Sequence, residues 1–223
     1  MIVVFDLDDV LYDEKLFFKS GMNAIVNFIS SEYKIPKKQI LFFLRKRIKK
    51  GRIKIIDDIL KKFDIYSKYR VKKCLWIYRT HFPKIQLSSD ARYCLKNLKK
   101  FSCYIVTDGN KIVQLNKIKA LKISKNVKKY ILTSNYGLKN AKPSPYCFLK
   151  ICNLENVNPT DVVYVGDDPN KDFVGIKPLG FHTIRVMKGR YMNLKKPKKY
   201  QSDLEINSLK ELNPKLLEKI QTG

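Results

Sequence analysis

The 223-residue chain predicts an α/β fold, a parallel-sheet core that carries an all-helical insert, on three observations. Short β-branched and aromatic runs recur along it, each the length of a strand buried on both faces. Helix-spaced segments separate the later runs, the alternation that builds βαβ units. Residues 15–85 break that alternation with consecutive helical patterns and no strand between them.

The first run, Ile2-Val3-Val4-Phe5, ends at once in Asp6-Leu7-Asp8-Asp9. Residues 17–33, 37–50, 53–63 and 69–80 then read as helices, broken by Pro36 and Gly51. Residues 90–100 place Ala91, Cys94, Leu95 and Leu98 at helix spacing, with Ser88-Ser89-Asp90 offering an N-cap. Cys103-Tyr104-Ile105-Val106 predicts the second strand, and Tyr130-Ile131-Leu132 a weaker one. Residues 145–152 carry Tyr146, Phe148, Leu149 and Cys152 on a helical stripe, with Pro145 at the start, where proline is tolerated. Two more strands follow, Val162-Val163-Tyr164-Val165 and Thr183-Ile184-Arg185-Val186. A basic stretch, Lys195-Lys196-Pro197-Lys198-Lys199, reads as a solvated turn, and residues 204–220 close the chain. The pattern is that of a Rossmann-like core formed by residues 1–14 and 86–223, with a helical subdomain over 15–85.

Composition removes several function classes. Hydrophobic residues make up 44% and Gly and Pro number nine each, which excludes a disordered or collagenous chain. No apolar run approaches the roughly 18 residues that cross a bilayer. The opening residues lack the basic and long apolar regions of a signal peptide. Five Cys with no CxxC spacing read as reduced core thiols, and a cytoplasmic protein is expected. Net charge is +26, yet 38 of the 46 basic residues are Lys and 8 are Arg. Readers of bases and phosphates favour the bidentate guanidinium, so the Lys excess points to compositional bias and nucleic acid is not the expected partner. Residues 15–85 hold 20 basic side chains against 4 acidic, an excess that would attract a small anion.

In an open parallel sheet, ligands sit at the carboxyl ends of the strands. Asp6 and Asp8 follow the first strand, and Thr107-Asp108-Gly109-Asn110 the second. Gly166-Asp167-Asp168-Pro169-Asn170-Lys171-Asp172 follows Val165. Acids gathered at strand ends repel one another unless a cation lies among them, and an all-oxygen set suits Mg²⁺. Lys142, in Asn140-Ala141-Lys142-Pro143-Ser144-Pro145, precedes a helix and offers an ammonium to an anion.

These four segments, in this order, resemble the haloacid dehalogenase superfamily over nearly the whole chain. Asp6-Leu7-Asp8-Asp9-Val10-Leu11-Tyr12 is similar to its first motif, with Val10 where many members have Thr. Thr107-Asp108-Gly109-Asn110, Lys142-Pro143-Ser144-Pro145, and Gly166-Asp167-Asp168 with Asp172 resemble the second, third and fourth. With Asp8 present, the chain resembles the phosphoryl-transfer branch, since the dehalogenases lack an acid there. The resemblance implies a Mg²⁺-dependent phosphatase of a small phosphorylated metabolite: a sugar phosphate, a nucleoside monophosphate or phosphoglycolate. It implies Asp6 as nucleophile and Asp8 as proton carrier. Thr107, the Asp108 amide and Lys142 would contact the phosphoryl oxygens. Asp6, the Asp8 carbonyl and Asp167 would hold the metal, with Asp168 and Asp172 as supporting partners. Residues 15–85 would be the helical cap, and the protein a monomer or homodimer. A phosphomutase of the same fold, or a nucleic-acid-binding protein on an inactive core, are the alternatives.

Overall fold

The computed structural model describes residues 1–222. Six strands form one parallel sheet: β1 (Ile2–Phe5), β2 (Ser102–Thr107), β3 (Lys129–Leu132), β4 (Val162–Gly166), β5 (His182–Val186) and β6 (Leu204–Ile206). Their order is β3-β2-β1-β4-β5-β6. The chain runs outward from β1 to β3, then crosses back to place β4 on the other side of β1. The crevice at such a switch point is where loops from both halves of the sheet diverge, so β1, β2 and β4 deliver their carboxyl-end residues to one place. Register fixes the delivery: Phe5 pairs with Ile105 on one side and Val165 on the other.

The continuous apolar runs are buried on both faces, as parallel strands require. Helix α7 (Tyr146–Glu155) lays Cys147, Phe148, Ile151 and Cys152 against Val4, Tyr104, Val106 and Tyr164. Phe148 meets the Tyr164 ring edge-on at 4.8 Å between centroids. Val3, Phe5, Ile105, Val163 and Val165, alternating with that set, are buried as well. Each fully buried side chain of this size contributes about 1.5–3 kcal/mol. Helix α5 (Ser89–Asn97) starts where Ser88 accepts from the Ala91 N–H at 3.1 Å. Helix α6 (Lys111–Leu121), which the sequence patterns above do not mark, is capped by Asn110 and follows β2 directly. Residues 204–220, read as one closing segment, divide into strand β6 and helix α8 (Pro214–Thr222).

The chain separates into two compact units, Met1–Glu14 with Ile85–Gly223, and Lys15–Lys84. The second holds four helices, α1 (Glu14–Tyr33), α2 (Lys37–Ile48), α3 (Ile55–Lys62) and α4 (Lys68–Thr80), with α1 beginning one residue before the division. Its core gathers Met22, Ile25 and Ile29 of α1 with Ile40 and Leu44 of α2, Ile59 of α3 and Cys74 of α4. The five cysteines are buried thiols without a disulfide, and among the described residues no helix is long and apolar enough to cross a membrane.

Two backbone approaches position the loops at the strand ends. A Cβ at Gly166 would lie 2.5 Å from the Asp172 carboxylate, so the end of β4 and the following turn close only on glycine. A Cβ at Gly175 would lie 1.7 Å from the Pro143 carbonyl oxygen, a backbone atom that cannot swing aside. Gly175→Ala should therefore cost about 3 kcal/mol or more, by forcing apart the two loops that carry Lys142 and Asp172. Denaturant unfolding reads this, and a loss below about 0.5 kcal/mol would show that the loops are not locked together there.

Candidate active site

Asp6, Asp167 and Asp172 converge at the carboxyl edge of the sheet. One oxygen from each lies within 4.8 Å of the others, and all three residues are buried. Lys142 enters from the loop before α7 and spans the group, with its Nζ 3.0 Å from Asp6 Oδ1 and 2.8 Å from Asp172 Oδ1. It also donates to the Tyr164 hydroxyl at 2.9 Å, and that hydroxyl donates to Asp172 Oδ1 at 3.0 Å. Asp172 Oδ2 accepts the backbone N–H groups of Asp167 and Asp168 at 3.1 and 2.9 Å. Asp172 is thus saturated as an acceptor and braces the turn after β4. Asp168, placed beside it in sequence, folds back locally to accept from the Asn170 backbone and side chain.

Charge balance explains the electrostatics. With all three carboxyl groups ionised, one ammonium would leave the cluster two charges negative in a buried place. Burial first, then the charges of Asp6 and Asp172, push the Asp167 carboxyl up to about 9. Burial likewise raises Asp6 to about 6 against the opposing pull of Lys142. For Lys142, burial favours the neutral amine, but the charges of Asp172 and Asp6 win and hold it firmly protonated. Among the described residues the Asp167 carboxylate has no hydrogen-bond or ion-pair partner, although the residue is 4% exposed. A buried, unpartnered carboxylate beside a second one, with only oxygen donors in the set, fits a hard divalent cation such as Mg²⁺. Zinc prefers nitrogen and sulfur ligands, and the cluster has none.

Asp8 lies outside that cluster. Lys117 Nζ bonds both its oxygens at 2.8 Å, the Tyr12 hydroxyl donates to Oδ1, and Gln114 Nε2 approaches Oδ2 at 3.3 Å. Burial pushes the Asp8 carboxyl up, yet the Lys117 charge and these hydrogen bonds together bring it below the ordinary carboxylate value. Thr107 ends β2 and is buried, with its Oγ1 accepting from Gln114 Nε2 at 2.6 Å. The Asp108 side chain is used up within the loops: Thr133 donates to Oδ1 at 2.8 Å, the Lys142 N–H donates to Oδ1 at 3.1 Å, and Lys171 sits 3.1 Å from Oδ2. Asp9, at φ 58°, accepts from the Glu14 and Arg190 N–H groups and builds the turn into α1.

Six of the eight residues read from sequence therefore gather at one edge of the sheet, in two subsites. One holds Asp6, Asp167, Asp172 and Lys142; the other holds Asp8 and Thr107. The three N–H donors of Lys142 already have three acceptors in Asp6, Asp172 and Tyr164, so it reaches a phosphoryl group through its charge or by exchanging a partner. Gln114, Lys117, Tyr164 and Lys171 were not read from the sequence as site residues. Gln114 and Lys117 left a signal, being polar residues at positions i and i+3 of a helix whose other buried positions include Ile118 and Leu121.

A family model described as haloacid dehalogenase-like hydrolase matches residues 3–186. The protein named glyceraldehyde 3-phosphate phosphatase from Pyrococcus furiosus is 30% identical, over 99% of this chain and 92% of that protein. Its namesake from Methanocaldococcus jannaschii is also 30% identical, over 94% of each. The crystal structure of a HAD phosphatase from Thermococcus onnurineus superposes with a TM-score of 0.60 at 25% identity, covering 96% of this chain and 97% of that one.

The Asp8–Lys117 pair yields a stability prediction. In metal-free buffer, Lys117→Met should destabilise the protein by about 2 kcal/mol at pH 7, because a largely buried carboxylate loses its counter-charge. The folded Asp8 carboxyl lies below its unfolded value, so the pair stabilises fully above about pH 4 and loses its effect as pH falls through the folded value. The gap between variant and wild type should narrow on acidification. A gap that stays constant down to pH 3 in denaturant titrations contradicts the pairing.

Proposed function

The chain belongs to the haloacid dehalogenase-like hydrolases and is a phosphoric monoester hydrolase, and from that premise we propose how its residues hydrolyse a small phosphorylated metabolite. The observation that carries the reading is the placement of Asp6: a buried carboxylate at the end of β1, held by Lys142 and facing the unpartnered Asp167. We assign Asp6 as the nucleophile. Its oxygen attacks phosphorus, and the ester P–O bond breaks with its electron pair passing to the leaving oxygen. Asp8, ionised beside Lys117 in the free protein, takes up a proton as the phosphate anion enters and gives that proton to the leaving oxygen. A water then attacks the aspartyl-phosphate, Asp8 takes the proton of that water, and the Asp6–phosphorus bond breaks to restore both carboxyl groups.

Asp6 and Asp167 would hold Mg²⁺, with the Asp8 carbonyl as a further ligand and Asp172 bracing the turn. Bound there, the cation would shield the nucleophile from the phosphate's charge and stabilise charge on the transferring oxygens. Thr107 and the Asp108 amide donate to the phosphoryl oxygens, and the Lys142 ammonium opposes their charge from beneath Asp6. Residues 15–85 serve as the cap that selects substrate. Glyceraldehyde 3-phosphate is the first candidate, since two relatives that align over almost the whole chain carry that substrate in their names.

Phosphate release across glyceraldehyde 3-phosphate, phosphoglycolate, nucleoside monophosphates and sugar phosphates tests the substrate, with the highest kcat/KM expected for the first. Asp6→Asn should keep the fold and lose more than about a thousandfold in turnover, roughly 4 kcal/mol of barrier, because an amide cannot form the acyl-phosphate. Turnover within tenfold of wild type would remove Asp6 from the nucleophile's role.

A further inference from the structure

Helix α6 begins just after the Thr107 turn and sends Gln114 back toward it. Gln114 is 1% exposed, and its Nε2 lies 2.6 Å from Thr107 Oγ1, 2.8 Å from the Asp108 carbonyl and 3.3 Å from Asp8 Oδ2. A carbonyl and an ionised carboxylate can only accept, so the amide must present its NH₂ to this group. Thr107 Oγ1, the nearest of the three acceptors, then accepts one of the two N–H hydrogens. A hydroxyl that accepts on one side carries its own hydrogen on another, and among the described residues that hydrogen has no acceptor.

From this geometry we infer that Gln114 is a positioning residue for phosphoryl transfer: it aims the Thr107 hydroxyl hydrogen at the phosphoryl oxygen. Pinning the Asp108 carbonyl acts in the same sense. The Asp108–Gly109 peptide is planar, so a fixed carbonyl fixes the Gly109 N–H in the opposite direction, away from Gln114. One amide nitrogen thus orders the hydroxyl and the backbone of the turn before substrate arrives, the preorganisation that electrostatic catalysis requires. The other end of the same side chain supports the reading. Gln114 Oε1 is buried and among the described residues has no hydrogen-bond partner, a cost that a residue kept only for packing would not carry.

The inference rests on the proposed role of Thr107, and the experiment separates the two. Gln114→Met keeps length and apolar packing but removes the donor. Gln114→Glu keeps the shape, likewise without N–H donors, and covers the case in which the Met variant does not fold. Steady-state kcat/KM and the inhibition constant of inorganic phosphate are measured for these, for Thr107→Val, and for the Gln114→Met/Thr107→Val double variant. Gln114→Met and Thr107→Val should each lower kcat/KM by about 30-fold and weaken phosphate inhibition, the scale of one hydrogen bond to a charged oxygen. The double variant should lie within threefold of the worse single, because both substitutions remove the same aimed hydrogen. Gln114→Glu should lose at least as much as Gln114→Met. Multiplicative losses in the double variant, or either Gln114 variant within threefold of wild type while Thr107→Val is impaired, overturn the inference alone. A fully active Thr107→Val overturns the phosphoryl contact itself, and the inference with it.

Discussion

Three carboxylates buried within reach of one another, with a single buried ammonium among them, form the constraint on which the rest of this structure turns. Such a group is unfavourable wherever the chain puts it, and a random arrangement would neutralise it by protonation. Here the sheet forces the arrangement. Asp6 and Asp167 stand one residue beyond neighbouring paired strands, so the β1–β4 register that buries Val3, Phe5, Val163 and Val165 also brings the two acids together. Hydrophobic packing of the core thereby stabilises a site whose charges alone would separate. Glycine at 166 and 175 lets the flanking loops close tightly enough for Asp172 and Lys142 to complete it.

The second subsite is built differently. Asp8 and Thr107 come from two neighbouring strands, and both are tied to helix α6, through Lys117 and Gln114. The helix that leaves the Thr107 turn therefore also holds Asp8, the proton carrier of the proposed mechanism. This division fits the chemistry. A nucleophile must remain ionised next to an anion, so its surroundings are acids, an ammonium and a place for a cation. A proton carrier must be oriented and must change charge, so its surroundings are hydrogen-bond donors.

Much of this was legible in the residues. Ile2–Phe5 and Val162–Gly166 could be placed because fully buried parallel strands are written as unbroken apolar runs, and because each ends directly in acids. The order of the four motifs identified the family. Helix α6 was not legible for a physical reason: two of its buried positions, Gln114 and Lys117, are polar, so the apolar stripe that announces a helix is interrupted where the helix serves the site. The same holds for Lys142, whose Lys-Pro context marked it while its engagement with Asp6, Asp172 and Tyr164 depends on packing between distant segments. Strand β6 is three residues long, with Leu204 and Glu205 exposed, and carries too little alternation to be distinguished from a turn.

The central claim is that the buried cluster is short of positive charge by one divalent cation, held chiefly by Asp6 and Asp167. Thermal unfolding of metal-free protein across a Mg²⁺ titration tests it directly, because a ligand that binds only the folded state raises the midpoint with its concentration. The account predicts a rising midpoint for wild type and little or no rise for Asp167→Asn, in which one donor of the set has become an uncharged amide. A wild-type midpoint that does not move with millimolar Mg²⁺, or one that rises equally in the variant, would contradict it.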